Sequence, residues 1–253
     1  MDIIATIFLV YSGVVCLQKI LLLRIKFMPD NIIIFDEKQT PGKIRFSEKF
    51  NVAVPFIDRH LDEQRGNKTA ISGEFGEISY YELVEQVNRS GNALKKLGLS
   101  TGDRVLMVVK DCPEFFYIFW GCIKAGFVPV PLNTLLKAKD YKFMIEDSKC
   151  AAIIYSPEFL VEIGAATKLL NTQPKWVLET VGKGSISESM ESAEVSLTAT
   201  PATADDDCFW LYSSGSTGQP KGTVHAHKDI PVTCINYAVG VLDICEKDIC
   251  FSA

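Results

Sequence analysis

The sequence has few histidines, no C-x-x-C cysteine pair and no run of basic residues. Lys and Arg total 26 against 31 Asp and Glu, so the net charge is −5 at pH 7. This balance excludes the basic patch that nucleic-acid binding needs. The eight cysteines contain no C-x-x-C pair, and the three histidines complete no zinc-ligand spacing. Most of the cysteines lie in apolar runs, which is typical of free thiols in a reducing cytosol.

The chain has 253 residues, 47% hydrophobic and 23% charged, which indicates a globular protein with a substantial core. Residues 3–23 are strongly apolar, and two interpretations of segment 1–27 remain open. It is either a membrane-spanning helix, whose trailing Lys19, Arg24 and Lys26 would keep the rest of the chain cytoplasmic, or an upstream translation before a true start at Met28. We therefore expect a cytoplasmic protein, with a membrane tether under the first interpretation.

Strands and helices are predicted to alternate between residues 104 and 178. Nearly all-apolar strands are predicted at 104–109, 127–131, 151–155 and 175–178, separated by helices at 113–125, 139–148 and up to 170. This order is typical of an α/β fold with a parallel sheet covered by helices. Helical patterns also occur at 56–64, 79–97 and 228–240. A hairpin is predicted at 69–79, and a last strand is predicted to begin at 248. Residues 181–207, rich in Ser, Thr, Ala and Glu, are predicted to be a solvated connector.

Residues 208–222 contain the most informative pattern. An apolar strand, Cys208 to Tyr212, stops at SSGSTG (213–218), whose glycines allow a tight turn and close approach to a ligand. Its hydroxyls and backbone N–H groups suit phosphate oxygens, and Lys221 adds a positive charge. A flexible Ser/Gly linker is disfavoured, because the apolar pattern resumes directly at Val224. We predict a phosphate-binding loop.

The spacing excludes a Walker A loop, because Lys221 follows a proline and Gly222 takes the place of the magnesium-binding Ser or Thr. The string YSSGSTGQPKG (212–222) instead resembles the signature loop of the adenylate-forming superfamily of acyl-CoA synthetases, luciferases and peptide synthetases. KAGFVPVPLN (124–133) resembles a second signature region of that superfamily. FWLYSSGSTG (209–218), VHAH (224–227) and FSEKFNVA (46–53) are most similar to the benzoate–CoA ligase branch.

The resemblance implies that residues 28–253 are the first part of an AMP-binding N-terminal domain. The implied reaction joins an aryl or acyl carboxylate to coenzyme A through an acyl-adenylate, with ATP and Mg²⁺. The pyrophosphate-binding residues would be Ser213, Ser214, Gly215, Ser216, Thr217, Gly218 and Lys221. The family's catalytic residues are expected beyond Ala253, so the 253-residue chain alone is expected to be inactive.

Three alternatives remain open. The chain is part of an aromatic-acid ligase, part of a fatty-acyl ligase or peptide-synthetase adenylation domain, or a non-catalytic, membrane-tethered nucleotide-binding protein. Acyl selectivity is expected in the part of the family that this chain lacks. A structural role for His227 is favoured over metal binding by His225 and His227, because no other ligand types lie nearby in the sequence.

Overall fold

The computed structural model describes residues 29–36, 42–213 and 219–251. Within these ranges the chain divides into two compact units, the first with residues up to 84, 199–206 and 226–251, and the second with 85–198 and 207–225. No helix of the described ranges is both long and apolar enough to span a membrane. The apolar segment 3–23, on which the tether prediction depends, lies outside them, as do residues 214–218 of the predicted loop.

The elements follow one another in this order. The strands are β1 Ile33–Asp36, β2 Lys43–Phe46, β3 Thr69–Gly73, β4 Gly76–Ser79, β5 Arg104–Val108, β6 Val128–Pro131, β7 Ala152–Tyr155, β8 Trp176–Glu179, β9 Asp207–Ser213 and β10 Lys221–Ala226. The α-helices are α1 Arg59–Asp62, α2 Tyr80–Lys96, α3 Pro113–Ala125, α4 Ala138–Ser148, α5 Leu160–Lys168, α6 Ile186–Glu191 and α7 Asp229–Thr233. Val54–Asp58 and Cys234–Val239 are π-helical turns, and Pro157–Phe159 is a 3₁₀ turn.

The centre of the second unit is a four-stranded sheet in the order β6-β5-β7-β8. All three pairings are parallel, with Leu106 opposite both Val130 and Ile153. Every residue of β6 and β7 is buried, as expected for parallel strands covered on both faces. One face packs against α4 and α5 through Tyr141 and Ile163. The predicted α/β fold with a parallel, helix-covered sheet is therefore confirmed.

Local sequence signals determine where the helices begin and end. At the start of α2, the Glu82 carboxylate accepts from the Ser79 N–H at 2.7 Å, and the Ser79 hydroxyl accepts from the Glu82 N–H at 3.2 Å, which completes a capping box. Helix α3 begins at Pro113 and ends at Gly126, whose φ of 84° lies in the left-handed region open to glycine. These boundaries agree with the predictions.

Three predicted segments differ from the structure. The connector 181–207 includes α6, whose Ile186 and Met190 are buried, so an apolar face inside a polar sequence packs against the core. The predicted helix 228–240 is present at 229–239, and it differs only in that its second half is a π-helical turn after α7. Residues 248–251 form no strand, and Ile249 and Phe251 are exposed; no described strand pairs with them, and an apolar run without a partner does not make a sheet.

Candidate functional site

Strands β9 and β10 hydrogen-bond to each other and hold the two ends of the predicted phosphate loop. Strand β9 begins at the exposed Asp207, continues through the buried Cys208 and Phe209, and ends at the exposed Ser213. Residues of β9 also lie within 8 Å of β6, Cα to Cα, beside the parallel sheet. Strand β10 starts at the exposed Lys221. The Ser213 hydroxyl and the Lys221 ammonium are thus open to a ligand where the chain leaves and re-enters this strand pair.

The side chain of Tyr212, directly before the loop, is held by a helix far away in the sequence. Its hydroxyl donates to the Asp147 carboxylate on α4 with an oxygen–oxygen distance of 2.6 Å. Burial, together with this hydrogen bond, raises the pKa of Tyr212 well above its usual range. The phenol is therefore a protonated donor at neutral pH.

The main chain of β10 packs directly on aromatic rings of β9. A Cβ added to Gly222 would lie 3.3 Å from Cζ of Tyr212 and 3.4 Å from Cε3 of Trp210. Three residues further on, the His225 ring stacks on Phe209 with centroids 4.7 Å apart and planes 9° from parallel. Tyr212, which precedes the loop, therefore lies against Gly222 in the strand that follows the loop, directly after Lys221.

His227 has a structural contact in the first unit. Its Nδ1 accepts a hydrogen bond from the Val52 N–H at 3.1 Å, and the ring is 4% exposed. Burial lowers the pKa of His227 to about 4, against the opposing effect of Asp206. His227 is therefore a neutral, buried hydrogen-bond acceptor, which is the structural role predicted for it from the sequence. Among the described residues, no group of three or more His, Cys, Asp and Glu could hold a metal ion.

A cavity of about 420 Å³ lies elsewhere on the second unit, lined by residues that include Glu85, Arg89 and Glu191. The Arg89 guanidinium donates to the main-chain carbonyls of Glu191 and Ala193, each at 3.0 Å, and to Glu85. This arginine therefore holds the end of α6, through its Nε and one of its two terminal nitrogens. We assign no ligand to the cavity.

Of the predicted site residues, the structure describes Ser213 and Lys221, at the two ends of the loop. Ser214, Gly215, Ser216, Thr217 and Gly218 lie outside the described residues, so their role stays a prediction. Sequence reasoning missed Asp147, which is 65 residues from its partner Tyr212. No motif surrounds Asp147, and only the packing of α4 beside β9 reveals the pair.

Comparisons with known proteins support the same family as the motif at 212–222. The sequence matches the AMP-binding enzyme family over residues 57–252. It is 41% identical over 220 residues to benzoate–CoA ligase of Thauera aromatica, covering 86% of this chain and 42% of that protein. It is 32% identical over 171 residues to a long-chain-fatty-acid–CoA ligase of Mycobacterium tuberculosis, covering 68% of this chain and 34% of that one. The chain therefore spans about two fifths of the first relative and a third of the second.

A solved structure agrees with the family assignment as well. A benzoate CoA ligase from Burkholderia xenovorans superposes with a TM-score of 0.69 at 34% identity. The match covers 77% of this chain and 38% of the solved one. The arrangement of strands and helices is thus shared with part of a larger enzyme.

Proposed function

Because the chain belongs to the AMP-binding enzyme family, we propose that it forms the N-terminal part of an ATP-dependent carboxylate–CoA ligase. In the first half-reaction the substrate carboxylate attacks the α-phosphate of ATP, giving an acyl-adenylate and pyrophosphate. In the second, the thiol of coenzyme A displaces AMP and gives the thioester. The observation that supports the proposal is the signature string at 212–222, which connects two paired strands and has Ser213 and Lys221 exposed at the ends of the predicted loop.

The electrostatic difficulty of the first step is that an anion must approach a polyanion. Fixed hydroxyl, N–H and ammonium donors lower this barrier by neutralising the charge that develops on the leaving pyrophosphate. We assign that role to residues 213–218 and to Lys221. Mg²⁺ would neutralise further phosphate charge, but the described residues contain no cluster suited to it.

The proposed substrate is an aromatic acid of the benzoate type. The supporting observation is the similarity to benzoate–CoA ligases, both in sequence and in fold. The second candidate substrate is a long-chain fatty acid, because a ligase of that class is 32% identical over 68% of the chain. Comparing kcat/KM for benzoate and palmitate in the full-length protein separates the two; a preference for palmitate would replace the first proposal by the second.

The role of the loop is tested by ATP–pyrophosphate exchange in the full-length protein with benzoate present. We expect Lys221→Met to slow exchange on the order of a hundredfold, the size typical of losing one fixed donor to a developing anion. Thr217→Ala should have a smaller effect in the same direction. Lys168→Met is the matched control, because Lys168 is an exposed lysine at the end of α5 in the same unit. Unchanged exchange in both loop variants would overturn the assignment.

A further inference from the structure

We propose that Tyr212 is a positioning residue which, through Asp147 and Gly222, holds the two ends of the phosphate loop in a fixed relation to each other. The inference rests on the proposed function, because it assumes that residues 213–221 bind the phosphates of a nucleotide. Two contacts outside residues 213–221 carry the role of Tyr212. One is with Asp147 on helix α4, and the other is with Gly222, where a side chain would meet the ring.

The first contact anchors the start of the loop. Tyr212 adjoins Ser213, and its hydroxyl donates to Asp147 at 2.6 Å. Asp147 is the penultimate residue of α4, whose Tyr141, Met144 and Ile145 are buried in the core. A hydrogen bond to a carboxylate is among the stronger kinds in proteins. The residue before the loop is therefore attached to a rigid, packed helix.

The second contact anchors the end of the loop. Gly222 follows Lys221, and its missing Cβ would lie 3.3 Å from Cζ and 3.4 Å from Cε1 of Tyr212. These distances are at the tight end of ordinary carbon contacts, so any side chain at 222 would displace the ring or the strand. One phenol ring thus lies against the exit strand at Gly222 while its hydroxyl reaches α4.

This arrangement serves phosphate binding because donors are most effective when their positions are set before the ligand arrives. Ordering a residue on binding costs conformational entropy, and that cost would otherwise subtract from the affinity. A small displacement of supporting groups also weakens a site whose donors must meet defined oxygen positions. Tyr212 would limit both losses for the donors of Ser213 and Lys221.

The test measures inorganic pyrophosphate binding to the full-length protein by isothermal titration calorimetry. Tyr212→Phe keeps the ring and removes the hydroxyl, and Asp147→Ala removes its acceptor. We expect each to weaken pyrophosphate binding roughly tenfold, the size of a lost hydrogen bond to a charged group. The double variant should be no weaker than either single one, since both remove the same contact. Asp147→Asn keeps an acceptor oxygen without the charge, so it should recover part of the affinity.

A second tyrosine–carboxylate pair supplies the control. The Tyr155 hydroxyl donates to Glu179 at 3.3 Å between β7 and β8, away from the loop in the sequence. Tyr155→Phe should keep the wild-type affinity for pyrophosphate even where its urea midpoint falls as far as that of Tyr212→Phe. Equal weakening in Tyr155→Phe and Tyr212→Phe would indicate a general loss of stability and overturn the inference. Wild-type affinity in Tyr212→Phe, or no recovery in Asp147→Asn, would also overturn it.

ATP–pyrophosphate exchange, run on the same samples, separates this inference from the proposed function. Wild-type protein that binds pyrophosphate but forms no adenylate with benzoate or palmitate would refute the ligase, while the calorimetric comparison would still decide the role of Tyr212. Wild-type protein that binds no pyrophosphate would refute the phosphate loop and the inference together.

Discussion

Strand β7 and residues 221–225 of strand β10 belong to the second unit. The two strands differ in how they are held, β7 by burial and β10 by a few particular contacts. All four residues of β7 are buried, and its neighbours β5 and β8 hydrogen-bond to both of its sides. The first four residues of β10 are exposed, and β9 is its one described neighbour in the sheet. β10 is held by particular contacts, namely Gly222 on the Tyr212 ring and His225 on Phe209.

The difference between the two strands assigns stability mainly to β7 and ligand binding mainly to β10. A central strand derives its stability from buried apolar area, about 25 cal/mol for each Å² removed from water. An exposed strand contributes little of this kind, so its sequence can be determined by what it presents to a ligand. We therefore expect substitutions in β7 to unfold the protein, and substitutions in β10 to change the loop at little cost in stability.

The largest effect is expected for Ile153→Ala in β7. Ile153 is completely buried in the cluster between the sheet, α4 and α5, and truncating such a side chain costs about 2–5 kcal/mol. Urea unfolding of the full-length protein measures it, with Ile153→Val as a matched variant expected to lose about 0.5–1.5 kcal/mol. A loss below 1 kcal/mol for the alanine variant would contradict the contrast between the two strands.

The next effect is a pH dependence, and it arises from the residue just beyond β10. Native His227 has a pKa of about 4 against 6.5 for the free side chain, so below pH 6.5 the unfolded chain binds a proton that the native protein does not. Stability must therefore fall from about pH 6.5 down to the native pKa, by about 2 kcal/mol for this group between pH 7 and 5. His60, buried and stacked on Tyr80 at 3.7 Å, has its pKa lowered by burial to about 3 and adds a similar loss.

Urea unfolding at pH 7 and pH 5 tests this with His227→Asn, which keeps an amide oxygen for the Val52 N–H but does not titrate. The drop in unfolding free energy should be about 2 kcal/mol smaller in the variant than in the wild type. Between pH 7 and 8 the two proteins should respond alike. An identical drop in both proteins at pH 5 would show that His227 is not neutral in the native state.

The parallel sheet could be predicted because its signals are local. The apolar run 104–109 lies between α2 and α3, whose ends carry the Ser79–Glu82 capping box, Pro113 and Gly126, and each of these signals acts within a few residues. The prediction of a phosphate loop rests on a local signal as well. The pattern from Tyr212 to Gly222 is continuous in the sequence, so spacing alone was enough to exclude a Walker A loop.

The remaining features depend on partners that are distant in the sequence. The burial of Ile186 inside a polar segment depends on the core that it packs against. The absence of a strand at 248–251 depends on whether another strand pairs with it, since an apolar run is only a condition for pairing. Asp147 at the candidate site also depends on a distant partner. Its hydrogen bond to Tyr212 can be identified only when the positions of α4 and β9 are known.

The smallest effect is expected for Val224→Ala, in the exposed part of β10. Val224 is 46% exposed, and surface substitutions away from specific contacts usually change stability by less than about 0.5 kcal/mol. The urea midpoint should therefore stay close to that of the wild type, and pyrophosphate affinity should be unchanged because Val224 lies outside residues 213–221, to which phosphate binding is assigned. A loss of more than about 1 kcal/mol, approaching the range of Ile153→Ala, would mean that β10 is stabilised by burial after all. The division between a strand that supports the fold and a strand that presents the loop would then fail.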